Sequence, residues 1–178
     1  MELVLVRHPQ PEVAPGICYG RTDLGASPAA IAGALARLNA AGLPGDLPIY
    51  ASPLRRCADF AARLGAPVTF DARLAEMDFG TWEMRTWDDI ARAEIDAWTD
   101  NLLYYRPGGG ETVMEVAQRV ASFLATLRHN DRALVVCHAG TMRLLSALHA
   151  GGTVEEAALR AAARPHRIDY GGVMTLKD

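Results

Sequence analysis

Cysteine is scarce in this 178-residue chain, and its three thiols do not pair in sequence. Cys18, Cys57 and Cys137 are odd in number, widely spaced and form no CxxC element, which argues against a disulfide framework and a cysteine-built zinc site. They read as reduced thiols. Positive charge is not in excess either: the formal net charge is −3, with Lys and Arg spread along the chain, so there is no basic footprint for nucleic acid or an anionic membrane. No apolar run is long enough to span a bilayer, and the opening MELVLV is too short for a signal peptide and has no basic region ahead of it. The expectation is a cytoplasmic protein. Repeats, linkers and low-complexity tracts are also missing. With half its residues apolar and 22% charged, the chain suits one globular domain with a buried core.

What is present alternates between strand and helix. ELVLV (2–6) and RALVVC (132–137) carry consecutive apolar residues, as in strands covered on both faces. Shorter strands are expected at Ile49 to Ala51 and at PVTF (67–70). Ser27 followed by Pro28 is an N-cap and first-turn proline for a helix with Ile31, Leu35 and Leu38 on one face and Gly42 as its stop. Ser52 and Pro53 suggest the same arrangement for a helix running to about Leu64. A helix capped by Thr86 is predicted over 86–98. Thr112 and Glu115 form a capping box ahead of an amphipathic helix marked by Val113, Val116, Val120, Phe123 and Leu127. A helix after His138 is stopped by Gly151 and Gly152; a short helix near 154–163 and a strand pair around 166–176 complete the chain. The pattern predicts an α/β fold, a three-layer α/β/α sandwich with a mostly parallel central sheet.

Ligands of such sheets bind beyond the carboxyl ends of the strands. Three strand ends carry chemically loaded residues: Arg7 and His8, Arg55 and Arg56, and His138. Two lead into helix N-termini, where unpaired amides favour an anion, and arginine forks suit phosphate.

At this point the residues resemble a known family, the histidine phosphatase superfamily that includes the cofactor-dependent phosphoglycerate mutases. LVRHP is similar to its LVRHG signature, SPLRRC to SPLxRA, LAEMDFGTWE to ExxFGxWEG, GGGET to GGES and VVCHAGTMR to VxHGGxxR. Five motifs in register are specific where one alone is weak. The resemblance implies a phosphoglycerate mutase-like fold, a single histidine phosphatase domain over residues 1–178, and no cofactor or metal. It implies that His8 is the phosphoryl-accepting nucleophile, that Arg7, Arg56, His138 and Ala139 bind phosphate, and that Glu76 is the proton donor. The chemistry is coherent without the family. A neutral imidazole attacks phosphorus near neutral pH, and fixed donors meet the charge on the equatorial oxygens.

Bland readings compete at each position. Arg7 and His8 alone would be a solvated strand end, Arg55 a surface residue, and Cys57 and Cys137 packing rather than a thiol nucleophile. Asp78 and Glu83 are rivals to Glu76. Glu111 is expected to end the glycine loop, Arg143 to sit on a surface or in an ion pair, and His129, His149 and His166 to be structural or solvated. Departures from the pattern are Pro9, Ala139 and Met84, each where the family carries glycine, and a missing Asn between His8 and Gly20.

The short chain favours hydrolysis of a small phosphorylated metabolite over mutase-type transfer. CYGRTD, GTWEMRTW and YRPGGGE are similar to the bacterial alpha-ribazole phosphatases, which act late in cobalamin nucleotide-loop assembly. Tyr19, Arg21 and Trp82, with Tyr104 and Tyr105, are the expected substrate-contacting residues at the mouth. A non-catalytic phospho-ligand binding module and a metal hydrolase using His8, His138 and a carboxylate stay open. Oligomeric state is open too.

Overall fold

The computed structural model describes residues 1–42, 47–127, 132–163 and 167–177. Their centre is a five-stranded sheet in the order β3-β2-β4-β1-β5, formed by β1 (Glu2–Arg7), β2 (Ile49–Ala51), β3 (Val68–Phe70), β4 (Arg132–Cys137) and β5 (Val173–Lys177). β1 pairs with β4, β4 with β2 and β2 with β3, all parallel; only β5 runs antiparallel, along the outer edge of β1.

The apolar runs alternate between two cores, as a pleated strand requires. Leu3, Leu5, Ala133 and Val135 face one side, against Val116, Val120 and Phe123 of α4 (Val113–Thr126) and Met142 and Leu145 of α5 (Ala139–His149), with α6 (Val154–Ala162) beside them. Val4, Val6, Leu134 and Val136 face the other, against Ile31 and Leu38 of α1 (Pro28–Ala40) and Phe60 of α2 (Arg55–Ala61). Both sheet faces are therefore covered, giving the three-layer sandwich expected from the sequence. Truncating a core aromatic such as Phe123 to alanine costs about 3–5 kcal/mol in sites of this kind.

Local signals set most boundaries. The Ser27 side chain accepts from the Ala30 amide, and the Thr112–Glu115 capping box closes in both directions. Three expectations are corrected. The 86–98 helix is divided: Thr86 caps a 3-10 turn (Trp87–Asp89), Ile90 and Ala91 are extended, and α3 is Arg92–Asp100. Ile90 is drawn into a small buried cluster with Trp82 and Cys18, which interrupts the helix. α2 begins at Arg55 rather than Pro53, with Leu54 as its N-cap, because the Ser52 amide still bonds Val136 of β4 at 3.0 Å. The C-terminal strand pair is one strand, β5, whose partner is β1; residue 166 lies outside the described residues. Among the described residues, no helix is long and apolar enough to cross a membrane.

Candidate active site

Register builds the site. Arg7 pairs with Cys137 and Ala51 with Val136, so His8, Ser52 and His138 follow immediately at the carboxyl edge of three adjacent strands. The His8 amide continues the ladder to the Cys137 carbonyl at 3.0 Å. As a result the two imidazoles, 130 positions apart, have ring centroids 5.0 Å apart with planes tilted by 57°.

His8 is 2% exposed, and its Nδ1 lies 2.7 Å from the Pro9 carbonyl. A carbonyl only accepts, so Nδ1 carries the hydrogen and Nε2 keeps its lone pair. Burial, then the positive field of Arg56, pushes the His8 pKa down to about 3, with Arg7 adding to the effect and the Pro9 carbonyl opposing it. His138 is fully buried. Burial holds its pKa well below the usual 6.5, helped by His8, Arg56, Arg119 and Arg7. Its Nε2 lies 2.8 Å from the Ser52 hydroxyl and 3.5 Å from the Cys57 thiol. Both rings are neutral at neutral pH.

Arg56 is 0% exposed, and its terminal nitrogens donate to the Thr22 carbonyl at 2.8 Å and the Gly20 carbonyl at 2.5 Å. Arg7 donates to the Ile168 carbonyl and lies over the Tyr170 ring, 3.9 Å from its centroid. The Nε of each arginine is buried without a hydrogen-bond partner, and among the described residues no carboxylate lies within ion-pair distance of either. Two desolvated guanidiniums without a counter-ion form a strong anion site. Arg55 is exposed, as expected from its position, and its Nε pairs with Asp59 at 3.8 Å.

Glu76 approaches from the loop after β3. One carboxylate oxygen accepts from the Gly140 amide at 3.1 Å, the other from the Met77 amide at 3.1 Å. A Cβ on Gly140 would fall 2.5 Å from the Glu76 carboxylate, so any side chain there would displace that carboxylate. Ala139 opens α5 with ordinary helical geometry, and no positive φ is required of it. It lines the same cavity, where its amide is one of the unpaired first-turn donors. The Glu76 loop is held by Arg119, which donates to the carbonyls of Arg73 and Ala75 at 2.7 Å and of Glu76 at 3.2 Å and pairs with Glu111 at 3.0 Å. Glu111 also accepts from the Asp78 amide at 3.0 Å; its role extends beyond ending the glycine loop. Asp78 accepts from the Gly80 amide at 2.7 Å. Against its burial, bonds from Thr22, Phe79 and Arg21 hold the Glu83 carboxyl below its usual pKa, which ties it to the loop frame.

A cavity of about 320 Å³ joins Arg7, His8, Arg56, Glu76 and Ala139. Tyr19 lines it with its ring 5.4 Å from the Arg56 guanidinium carbon. Arg21 does not; its guanidinium is 3.2 Å from Glu111 and 4.0 Å from Asp78. Trp82 is corrected: it is 0% exposed, with its indole N–H donated to Glu94 at 2.6 Å, so no ligand reaches it. Tyr104 is exposed and bonds Glu155 at 2.7 Å, while Tyr105 packs on Trp82. Arg143 lines the cavity and donates to the Ala161 carbonyl. Burial pushes both Cys57 and Cys137 thiols up, so neither is a thiolate. His129 and His166 lie outside the described residues. Among the described residues, no group of three or more His, Cys, Asp or Glu side chains is arranged to hold a metal ion.

Sequence reasoning missed Ser52, Arg119, Tyr170 and the tryptophans Trp87 and Trp98. Ser52 had a signal in SPLRRC and Trp87 in GTWEMRTW; Arg119, Tyr170 and Trp98 lie in segments with no motif.

An imidazole pair over two guanidiniums at the carboxyl edge of a parallel sheet defines an anion-binding α/β protein with histidine at its centre. The chain belongs to the Histidine phosphatase superfamily (branch 1), whose sequence model matches residues 3–168. A Hydrogenobacter thermophilus protein with the provisional name phosphoserine phosphatase 2 is 34% identical over 162 residues, covering 84% of this chain and 78% of that one. The Adenosylcobalamin/alpha-ribazole phosphatase of Escherichia coli is 37% identical over 87 residues, covering 46% of this chain and 43% of that protein. The mycobacterial glucosyl-3-phosphoglycerate phosphatase solved with VO3 superposes with a TM-score of 0.81 at 27% identity, covering 99% of this chain and 92% of that one.

Proposed function

We propose that the protein is a metal-independent phosphomonoesterase that hydrolyses a small phosphorylated metabolite through a phosphohistidine on His8. The observation that carries this reading is the neutral, oriented His8 ring beside two buried guanidiniums that lack a carboxylate partner. The phosphoryl oxygens sit on Arg7, Arg56, the His138 ring and the Ala139 amide, and Nε2 of His8 attacks phosphorus in line. As the N–P bond forms and the ester P–O bond breaks, Glu76 in its acid form gives its proton to the departing alkoxide. Water then delivers hydroxide to the phosphohistidine and its proton to Glu76, so the N–P bond breaks, phosphate leaves and Glu76 is again an acid. Alcohol and inorganic phosphate are the products. No group in this sequence needs a metal.

As the particular substrate we propose alpha-ribazole 5'-phosphate, supported by the three sequence stretches noted above and by the 37% identity to the Escherichia coli relative. The test has two parts. Wild-type protein given labelled ester and quenched in base should retain acid-labile label, His8→Ala should retain none, and hydrolysis of p-nitrophenyl phosphate should be undiminished in chelator. Label on His8→Ala, or chelator inhibition, overturns the mechanism. Higher kcat/KM for phosphoserine or 3-phosphoglycerate than for alpha-ribazole 5'-phosphate overturns the substrate alone.

A further inference from the structure

Beyond Glu76 the cavity changes character. Its phosphate end is cationic, but the same cavity is also walled by Phe79, Trp87, Trp98, Leu102, Val116 and Leu144. Among the described residues, Arg143 is the one charged side chain lining the cavity besides Arg7, Arg56 and Glu76. Its guanidinium already donates to the Ala161 carbonyl. Trp98 and Trp87 are parallel, with planes 6° apart and centroids 6.4 Å apart, and Phe79 meets Trp98 edge-on at 5.9 Å. The indole Nε1 of Trp98 is buried and has no hydrogen-bond partner.

We infer that this chamber selects phosphate esters of alcohols carrying a flat aromatic ring, the ring lying against Phe79 and Trp98. This rests on the phosphatase reading but not on the choice of alpha-ribazole. The chemistry excludes as well as attracts. A polyhydroxylated or amino-acid leaving group would bring polar groups against walls that return almost no hydrogen bonds, at a cost of about tenfold or more in affinity for each unpaired hydroxyl. Burying one phenyl ring, in contrast, gains roughly 10- to 100-fold.

Benzyl phosphate, glycerol 3-phosphate and phosphoserine are all esters of unactivated alcohols, so comparing them separates binding from leaving-group reactivity. The kcat/KM for benzyl phosphate should exceed that for the other two by roughly 10- to 100-fold. A second arm needs no turnover. Tryptophan fluorescence titrations with 2-phenylethylphosphonate, in which CH2 replaces the ester oxygen, should give tighter binding than with 3-hydroxypropylphosphonate by a similar factor. Leu102→Asn should shrink the preference several-fold through KM. Equal or tighter binding of the hydroxylated phosphonate overturns the inference. Absence of turnover with the phosphonate preference intact overturns the phosphatase reading instead and leaves the chamber's selectivity standing.

Discussion

The guanidinium carbon of Arg7 lies 3.9 Å from the centre of the Tyr170 ring, and the Tyr170 hydroxyl lies 2.7 Å from that of Tyr19. Tyr19 in turn has Arg56 over its ring at 5.4 Å. Two tyrosines 151 positions apart thus support the two phosphate-facing arginines. Tyr170 lies beyond the residues matched by the family's sequence model.

A cation over an aromatic face contributes about 0.5–2 kcal/mol. Tyr170→Leu is expected to raise KM for p-nitrophenyl phosphate roughly three- to thirtyfold with little change in kcat, whereas Tyr170→Phe, which keeps the ring, should stay within about twofold. Steady-state kinetics decide it. Equal losses in both variants would assign the effect to the hydroxyl contact with Tyr19.

Gly140→Ala places a methyl group where the Glu76 carboxylate now sits, 2.5 Å from Oε1. The expected result is a fall in kcat of about 10²–10⁴, the usual value of a positioned general acid, with phosphate inhibition unchanged because Arg7 and Arg56 are untouched. Glu76→Gln should show the same pattern. A variant with normal kcat would mean that Glu76 is not the proton donor.

Met84 has φ +64 and is the one non-glycine residue with positive φ among the described residues. Its amide donates to the Cys18 carbonyl at 2.8 Å, which holds the backbone there, while 49% of the residue is exposed. The left-handed region costs a side chain about 1–2 kcal/mol, and glycine's extra chain entropy returns about 0.5–1 of that. Met84→Gly should therefore raise Tm by up to a few degrees. A lowered Tm would show that the Met84 side chain contributes more packing than its exposure suggests.

Stability should fall on mild acidification. The His8 pKa is about 3 in the folded chain and 6.5 when exposed, and that of His138 is also well below 6.5. The unfolded state therefore binds more protons below pH 6.5, and stability present above that value is lost as pH falls towards the folded pKa values. Each histidine contributes a slope of up to about 1.4 kcal/mol per pH unit. Asp71, Glu115 and Glu156, held down by bonds from Arg73, Arg106 and the Thr153 amide, titrate below their ordinary 3.8 to 4.5. Denaturant titrations between pH 6.5 and 5 should thus show a slope that His8→Gln reduces by about half. An unchanged slope would refute the neutral buried His8.

Much of this protein was legible in order. The buried runs 2–6 and 132–137, the Ser27 cap and the Thr112–Glu115 box all appear where their local chemistry put them, because each depends on residues within a turn of one another. The motif residues His8, Arg56, Glu76 and His138 were named from the sequence; His8, Arg56 and Glu76 line one cavity, and His138 lies beside His8. The failures share a cause. Ser52 reads locally as a helix cap, yet strand pairing keeps its backbone on β4 and its hydroxyl on His138. Trp82 reads as a mouth residue, yet packing with Cys18 and Ile90 buries it and brings Trp98 to the cavity instead.

The sequence by itself determined the helical and strand segments, the alternation that makes a parallel sheet, and the short list of reactive side chains at strand ends, all consequences of near-neighbour periodicity and backbone preference. Tertiary structure alone decided which aromatic rings line the cavity, that Tyr170 supports Arg7, and that Arg119 holds the loop of Glu76. The Arg7–Tyr170 and Arg119–Glu76 contacts join residues 163 and 43 positions apart, and their geometry is set by how the helices and loops close over the sheet, a many-body packing outcome that no local pattern encodes.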